Sequence, residues 1–406
     1  MPPGPKIPTG AAFAWRLAAF YAALFVALGV QLPFLPVWLA AKGLDAAAIG
    51  LVLAIPMVVR VFAIPIATHG ADRHDGLRAA IVIAATAAAL GYGMVGLARG
   101  TAAIAAAFAL ASAFYTPIMP LADAYALRGL GRDSAARHPS SPGRLRPAAA
   151  GRYGPIRLWG SAAFVAGSFG AGFLLDAVAA SDLIWLVVAA MAATAAAAWA
   201  LVPLAPGAAR AAGTTFPAAT RLLRDWSFLA MVAAASLIQA SHAVYYAFSA
   251  LDWRAVGFGG GAIAALWALG VIAEIVLFAL SGRLSIGPTT LLMVGAAGGV
   301  VRWSAMAFDP PLALLAVLQC LHAFSFGATH LGALGYIVRR TPAEFGAIAQ
   351  GHLAVAQGLV MAAATAVSGA LYARWGGFAY GAMALTAAAG GLFALLAHRR
   401  LRAPAD

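Results

Sequence analysis

The chain has 406 residues, of which 63% are hydrophobic and only 10% are charged. Soluble proteins carry about 25% charged residues, and a single soluble core stops growing near ~250–300 residues. These values exclude one water-soluble globule and favour a polytopic membrane protein. The net charge of +13 comes from arginines in short runs between apolar segments, so we expect no nucleic-acid partner.

A helix needs about 20 apolar residues to cross a bilayer, and twelve stretches of the chain meet this requirement. Residues 1–12 precede the first stretch, are rich in Pro and Gly, and are expected to form a disordered tail. The predicted spans, in chain order, are 13–40, 46–67, 79–98, 101–127, 154–176, 182–203, 226–250, 260–281, 288–307, 311–337, 345–372 and 376–397.

The distribution of Lys and Arg predicts the orientation of these spans. The N-terminus, the even-numbered loops and the C-terminus hold twenty of these residues, whereas the odd-numbered loops hold four. We therefore expect both termini in the cytoplasm. The predicted fold is an all-α polytopic membrane protein with twelve transmembrane helices in two pseudo-symmetric six-helix halves, 13–203 and 226–397. A cytoplasmic linker, 204–225, joins them, and 398–406 form a cytoplasmic tail.

A weak internal repeat supports two related halves. Residues 34–67 align without a gap on residues 248–281 when the chain is shifted by 214 positions, and Gly43 then matches Gly257. Parallel repeats of this kind are a known plan of membrane transporters. The same shift places Arg60 opposite Glu274, two charges of opposite sign at matching positions.

Four charged residues lie more than three residues from either end of a predicted span: Arg60, Asp123, Glu274 and Arg302. A charge at the middle of a bilayer costs about 2.5–3.5 kcal/mol on insertion scales, so such residues find partners or line a wet cavity. A low-dielectric setting favours the neutral form of a carboxylic acid. Glu274 and Asp123 are therefore candidate proton carriers.

Structural interpretations of these charges stay open. Arg60 and Glu274 could form a salt bridge that only holds helices together, and Asp123 could serve packing or capping near the inner end of its span. Arg302 lies roughly 10 Å from the level of Glu274, given a rise of 1.5 Å per residue, so no direct pair is expected.

Aromatic residues accompany these charges in the first and seventh spans. Phe34 and Trp38 lie in one, and His242, Tyr245 and Tyr246 in the other. They would suit the wall of a cavity for an amphipathic ligand, although belts at the membrane surface or hydrogen-bonded packing are alternatives. The chain carries no Walker loop, HExxH or GxSxG motif and no metal-ligand spacing. We therefore expect neither an enzyme nor a cofactor or metal.

Several motifs resemble known transporters. The loop HGADRHDGLR at 69–78 resembles the inner-loop gating motif of the major facilitator superfamily, with Asp72 and Arg73 at its Asp-Arg pair. Other stretches resemble the 3-phenylpropionate transporter family within that superfamily: PLADA (120–124), YGPIRLWGSAAFVAGS (153–168), HAVYYAFSALDW (242–253), LGVIAEIVLFALS (269–281) and GVVRW (299–303).

The second resemblance implies proton-coupled uptake of a small aromatic monocarboxylate such as 3-phenylpropionate across a bacterial inner membrane. Arg60 and Arg302 would then bind the substrate carboxylate, and coupling would follow if substrate and Glu274 compete for Arg60. We expect a monomer whose partners are a small-molecule substrate, protons and the lipid bilayer. The alternatives are a proton symporter of a sugar or nucleoside, a drug-efflux antiporter, and a membrane receptor that transports nothing.

Overall fold

The computed structural model describes residues 10–137, 145–204, 222–283, 285–342 and 345–402, and these residues fold into helices joined by short turns. Nine helical stretches of the described residues are long and apolar enough to cross a membrane. The count of twelve spans therefore stays a prediction. Many apolar side chains on the helices are exposed, such as Phe62 and Ile66, as expected of a surface that faces lipid.

Fifteen α-helices follow one another in the described residues. They are α1 (Gly10–Ala41), α2 (Ala46–Arg73), α3 (Leu77–Leu97), α4 (Thr101–Tyr115), α5 (Ile118–Arg137), α6 (Leu145–Leu175), α7 (Ile184–Trp199), α8 (Trp226–Ala240), α9 (Ala243–Ala255), α10 (Gly260–Ser281), α11 (Pro288–Met306), α12 (Leu312–Cys320), α13 (Thr329–Arg340), α14 (Gly346–Trp375) and α15 (Tyr380–Arg402). A π-helix, Ala323–Ala328, lies between α12 and α13.

The ends of the predicted segments differ in detail. Residues 10–12, predicted as part of the tail, belong to α1, and α15 runs beyond the predicted end of the last span at 397. The rest of the predicted tail (1–9) and most of the predicted linker (205–221) lie outside the described residues.

Three predicted spans are interrupted helices, and two of the interruptions have an identifiable local cause. Pro117, which lacks a backbone N–H and disfavours helix at the preceding residue, separates α4 from α5. Between α8 and α9, the side chains of Ser241 and His242 bond the carbonyls of Ile238 and Gln239. These side chains compete with the backbone ladder for its acceptors, which breaks helices.

The described residues form two compact units. Unit 1 comprises Met1–Trp38 and Val59–Arg210, and unit 2 comprises Leu39–Val58 and Ala211–Asp406, as far as these ranges are described. In unit 1, α3 packs against α4, α5 and α7. In unit 2, α8, α11 and α15 pack on one another, and α14 packs against α8. The predicted division into six-helix halves stays a prediction.

Residues 39–58 belong to unit 2 because α2 approaches α14 closely. A Cβ on Gly50 would lie 2.8 Å from the Cα of Gly369, and one on Gly369 would lie 2.4 Å from the carbonyl oxygen of Ala46. Only glycine permits such a contact between helix backbones. The small residues therefore determine which unit the N-terminal part of α2 joins.

The two segments of the sequence repeat have the same backbone plan. Helix α1 ends at Ala41 and α9 at Ala255, while α2 begins at Ala46 and α10 at Gly260, each pair 214 residues apart. Gly43 and Gly257 both adopt positive φ, 86° and 92°, in the intervening turns. Glycine enters this left-handed region without a steric penalty. The register of the repeat thus corresponds to a shared local conformation.

The close packing of α14 leads to a test of stability. Gly369→Ala should destabilise the protein by roughly 1–3 kcal/mol, because the added methyl group overpacks the contact with α2. Gly351→Ala, in the same helix with nothing within 4 Å of the added Cβ, should leave stability unchanged or raise it. Thermal unfolding in detergent, followed by tryptophan fluorescence, measures both. Equal melting temperatures for the two variants would contradict the close approach.

Candidate functional site

Arg302, on α11 in unit 2, is fully buried. One terminal nitrogen donates to Nδ1 of His322 at 3.1 Å, and the other donates to Oε1 of Gln319. The guanidinium carbon lies 4.5 Å from the ring centres of both Tyr245 and Trp303. In the described part of unit 2, Arg302 has no carboxylate partner. Its positive charge is held by neutral acceptors and aromatic faces.

His322 connects Arg302 to Glu274. A guanidinium only donates hydrogen bonds, so Nδ1 of His322 accepts, and we assign the ring proton to Nε2. That nitrogen lies 3.6 Å from Oε2 of Glu274, an electrostatic contact longer than a hydrogen bond. The Glu274 side chain retains 20% exposure, so protons have access to the carboxyl group. Arg302 and Glu274 are thus joined through a histidine, in line with the expectation that they form no direct pair.

His242 lies in the break between α8 and α9 and is fully buried. Its Nδ1 bonds the Gln239 carbonyl, and its Nε2 bonds the Ser325 hydroxyl, both at 3.0 Å. Because the carbonyl can only accept, Nδ1 carries the proton and Ser325 donates to Nε2. The ring of His242 lies 5.3 Å from that of His322. Interrupted helices form binding sites in many transporters.

The π-helix that begins after His322 brings further groups to this region. Ser325, the partner of His242, lies within it, and Thr329 at its end returns a hydrogen bond to the Ser325 carbonyl at 2.8 Å. Segments of π-helix inside α-helices occur frequently at functional sites. This segment positions Gln319 and His322 on one side of the interruption and Ser325 within it.

Aromatic rings surround the guanidinium. Tyr245 stacks on Trp267 with ring centres 4.6 Å apart, and Tyr246 lies 5.9 Å from the same tryptophan. Trp303 stacks on Tyr380 at 5.9 Å, and its indole N–H donates to Ser241 at 2.9 Å. The predicted residues His242, Tyr245, Tyr246 and Arg302 therefore lie together in unit 2.

Three buried N–H groups in this cluster have no hydrogen-bond partner among the described residues: Nε of Arg302, Nε2 of Gln319 and Nε1 of Trp267. Buried donors are almost always satisfied in folded proteins. Arg302 and Trp267 both contact the Tyr245 ring, and Gln319 bonds Arg302. A cationic group with unsatisfied donors between aromatic rings suits an aromatic anion.

The other predicted substrate and proton residues belong to unit 1. Arg60 is half-buried on α2 and has no hydrogen-bond or ion-pair partner among the described residues of that unit. Asp123, on α5, accepts a hydrogen bond from the Tyr21 hydroxyl at 2.7 Å. Phe34 and Trp38 are buried, and the Trp38 indole donates to the Ser181 carbonyl at 2.9 Å. Their predicted roles in binding, and the pairing of Arg60 with Glu274, stay predictions.

The inner loop between α2 and α3 contains an ion pair that sequence reasoning missed. The predicted gating residues Asp72 and Arg73 are exposed at the end of α2. Asp75, which adopts a positive φ of 49°, forms a salt bridge with Arg128 on α5. A gating role for Asp72 and Arg73 stays a prediction.

Comparison with known proteins identifies the family. Residues 14–387 match the profile of the MFS_1 like family. The chain belongs to that family. It is 32% identical over 376 residues to the protein named "Probable 3-phenylpropionic acid transporter" of Escherichia coli (strain K12), across 91% of this chain and 94% of that protein. It is 31% identical over 382 residues to the maltose permease of Geobacillus stearothermophilus, across 90% and 91%.

Solved structures share the fold of this family member. The crystal structure of the nucleoside transporter NupG aligns with a TM-score of 0.78 at 17% identity, covering 97% of this chain and all of that one. The protein is therefore a multi-pass membrane transporter of the major facilitator type and not an enzyme. The predicted family is confirmed, as is the transporter class.

Gln319, His322 and Trp267 are among the site residues that sequence reasoning did not assign. Gln319 and His322 are three residues apart, so they share one helix face. Both are polar residues in an otherwise apolar run. This spacing is a signal that the sequence offered. Trp267 gave no signal, because a tryptophan in an apolar helix is ordinarily a packing residue.

The missing carboxylate around Arg302 leads to a second test of stability. Gln319→Glu should raise the melting temperature, because it gives the guanidinium a charged acceptor, worth about 1.5–3 kcal/mol for a hydrogen bond to a charged group. Gln319→Met removes the acceptor but keeps a side chain of similar size, and it should lower the melting temperature. Thermal unfolding in detergent compares the two. If both substitutions destabilised the protein equally, Arg302 would have no need of a negative partner.

Proposed function

We propose that this transporter is a proton-coupled symporter that carries a small aromatic monocarboxylate, such as 3-phenylpropionate, inward across the bacterial inner membrane. The observation that carries the proposal is the buried Arg302 guanidinium, which has no carboxylate partner in the described part of unit 2 and has an unsatisfied Nε–H. Guanidinium binds carboxylate through paired, charge-assisted hydrogen bonds. A substrate carboxylate would complete this site.

The surroundings of Arg302 favour an aromatic substrate. Tyr245, Tyr246, Trp267 and Trp303 supply ring faces within 6 Å of one another or of the guanidinium. Aromatic pairs contribute about 0.5–1.5 kcal/mol beyond the burial of their area. The relative from Escherichia coli named for 3-phenylpropionic acid supports the same substrate class.

Proton coupling follows from the contact between His322 and Glu274. When Glu274 is ionised, its negative charge acts on Arg302 through the neutral His322 and opposes the approach of a second anion. When Glu274 is protonated, the charge of Arg302 is left uncompensated, and the site accepts the substrate carboxylate. Proton binding and substrate binding then favour each other, as linkage requires.

The stoichiometry of this mechanism is one proton for each monocarboxylate. The pair carries no net charge, so the membrane potential contributes nothing and the pH gradient alone drives accumulation. Each pH unit corresponds to about 1.36 kcal/mol, or a tenfold concentration ratio.

Residues of unit 1 complete the proposal. Arg60 provides a second cation for the substrate, Asp123 a second proton carrier, and Phe34 and Trp38 aromatic contacts. Asp72 and Arg73 act in the gating loop. The working protein is a monomer of twelve spans in two halves that alternate access to the site, with both termini in the cytoplasm.

A second candidate is a proton symporter of a sugar. The maltose permease of Geobacillus stearothermophilus, at 31% identity, favours this alternative. Arg302 and Gln319 would then bind hydroxyl groups. The two candidates differ in whether the substrate must carry a carboxylate.

Uptake into proteoliposomes tests the proposed substrate and coupling. Labelled 3-phenylpropionate should enter faster when the outside is acidic, and a potassium diffusion potential should leave the rate unchanged. The neutral acid crosses bilayers unaided, so the readout is the initial rate relative to protein-free liposomes. Excess unlabelled 3-phenylpropionate should compete, whereas 3-phenylpropionamide and maltose should not. Competition by maltose alone would overturn the proposal in favour of the sugar.

Arg302→Lys tests the role of the guanidinium. Lysine keeps the charge but loses the paired donors and the planar contact with aromatic rings. Substrate affinity should fall at least tenfold, measured by binding of labelled 3-phenylpropionate to the purified protein. Exposed Arg254→Lys is the matched control and should bind as wild type does. Wild-type affinity in Arg302→Lys would remove Arg302 from the site.

Glu274→Gln tests the proton carrier separately from binding. Glutamine mimics the protonated carboxyl group, so exchange of labelled for unlabelled substrate should persist at a rate comparable to that of wild type. Acceleration of net uptake by an acid exterior should be lost, because the proton can no longer be released. If the variant still responded to the pH gradient, Glu274 would not be the carrier.

A further inference from the structure

Two carboxyl groups that the mechanism above does not use lie close together in unit 2. Asp252 is on the last turns of α9, and Asp309 is in the turn between α11 and α12. A Cβ placed on Gly377 would lie 2.9 Å from an oxygen of Asp309 and 3.5 and 3.6 Å from the two oxygens of Asp252. Both carboxyl groups therefore converge on one glycine.

The two acids differ in their surroundings. Asp309 is exposed and adopts a positive φ of 47°. Asp252 is half-buried and accepts a hydrogen bond from the Tyr372 hydroxyl at 3.0 Å. The ring of Tyr372 stacks on Phe248 with centres 4.4 Å apart, which fixes this donor. One acid thus meets the exterior, and the other faces the interior of the unit.

A buried hydroxyl interacts with both Asp252 and the arginine. Tyr380, at the start of α15, is fully buried, and its hydroxyl has no hydrogen-bond partner among the described residues. That hydroxyl is within electrostatic range of Asp252 and Tyr372, and also of Arg302 and Tyr245. Its ring stacks on Trp303, which in turn contacts Arg302. The charge of Asp252 is thus linked to the candidate substrate site.

The charged and titratable groups that face Asp252 are few. Tyr372 faces it from α14, Tyr380 from α15 and Asp309 from the neighbouring turn. Helix α10 contributes only Glu274, its single titratable residue. On α9 itself, Arg254 is exposed. Arg374, on α14, is also exposed. Mutual repulsion of two carboxylates disfavours the doubly ionised state, and no cation of the described residues forms an ion pair with either acid.

We propose that Asp252 and Asp309 form a second proton-binding site, whose charge controls the affinity of the Arg302 site for the substrate anion. This inference rests on the proposed function. Ionised Asp252 opposes the positive field of Arg302, and a proton on the pair removes that opposition. Under the orientation that the Lys and Arg distribution predicts, the pair lies on the outer face, so an acid exterior raises the affinity for incoming substrate.

The first experiment needs no substrate. The melting temperature of the purified full chain is measured from pH 5 to pH 8 for wild type and Asp252→Asn, in which the asparagine oxygen still accepts from Tyr372. Asp252→Asn should melt above wild type at pH 8, where it lacks the repulsion, and the two should converge at pH 5. Asp182→Asn, an exposed acid of unit 1, controls for net charge and should follow wild type. Parallel curves for wild type and Asp252→Asn would overturn the proton site.

Sodium is the competing ligand of such a carboxylate pair. The melting temperatures measured from pH 5 to pH 8 should be the same in sodium and in choline buffers. Stabilisation by sodium that Asp252→Asn abolishes would overturn the proposal in favour of a sodium site.

The second experiment measures control of the substrate site. At pH 8, Asp252→Asn should bind labelled 3-phenylpropionate several-fold more tightly than wild type, because the substitution removes a negative charge that opposes Arg302. Asp309→Asn should act in the same direction. Tyr380→Phe keeps the stacked ring and should weaken the response of affinity to pH. Unchanged affinity in Asp252→Asn would overturn the control, whereas absence of binding in wild type would overturn the proposed function instead.

Discussion

The burial of one positive charge is the constraint on which unit 2 depends. An uncompensated cation in an apolar interior costs several kcal/mol, and Arg302 meets that cost with neutral acceptors and ring faces rather than a carboxylate. Two helix interruptions lie close to these groups in the chain. One, at residues 241–242, turns His242 inward, and the other, a π-helix at 323–328, orders the segment that follows Gln319 and His322. Irregular backbone inside a membrane protein is tolerated where it builds a site of this kind.

The two ring nitrogens of His322 contact the two charged groups of the site, Arg302 and Glu274. Because Arg302 can only donate, the histidine presents its remaining N–H toward Glu274. A change of charge on Glu274 therefore acts on the guanidinium without a direct contact that would occupy it. This leaves donors of Arg302 for a ligand, which a direct salt bridge would not. Carboxyl groups at two levels of the unit, Glu274 and Asp252, then act on the same cation from different helices.

The family relationship accounts for the fold, but it does not determine which ligand the site binds. Relatives of nearly equal identity are named for an aromatic acid and for maltose, and a nucleoside transporter has the same fold. Function lies in sites placed on a shared fold. The residues within contact of Arg302 are therefore the part of this chain that bears on substrate class.

Composition and hydrophobic run length alone determined the membrane class, and the helical positions followed, since a bilayer requires long apolar helices. The intramembrane charges were also visible, because any charge in such a run is exceptional. The sequence could not place Gln319, Trp267 and the Asp75–Arg128 pair, whose roles depend on contacts between distant segments. Nor could it locate the helix break at Ser241, since side-chain competition for carbonyls depends on the partners that tertiary packing supplies. The charged residues could thus be identified from the sequence, whereas their contact partners could be identified only from the tertiary structure.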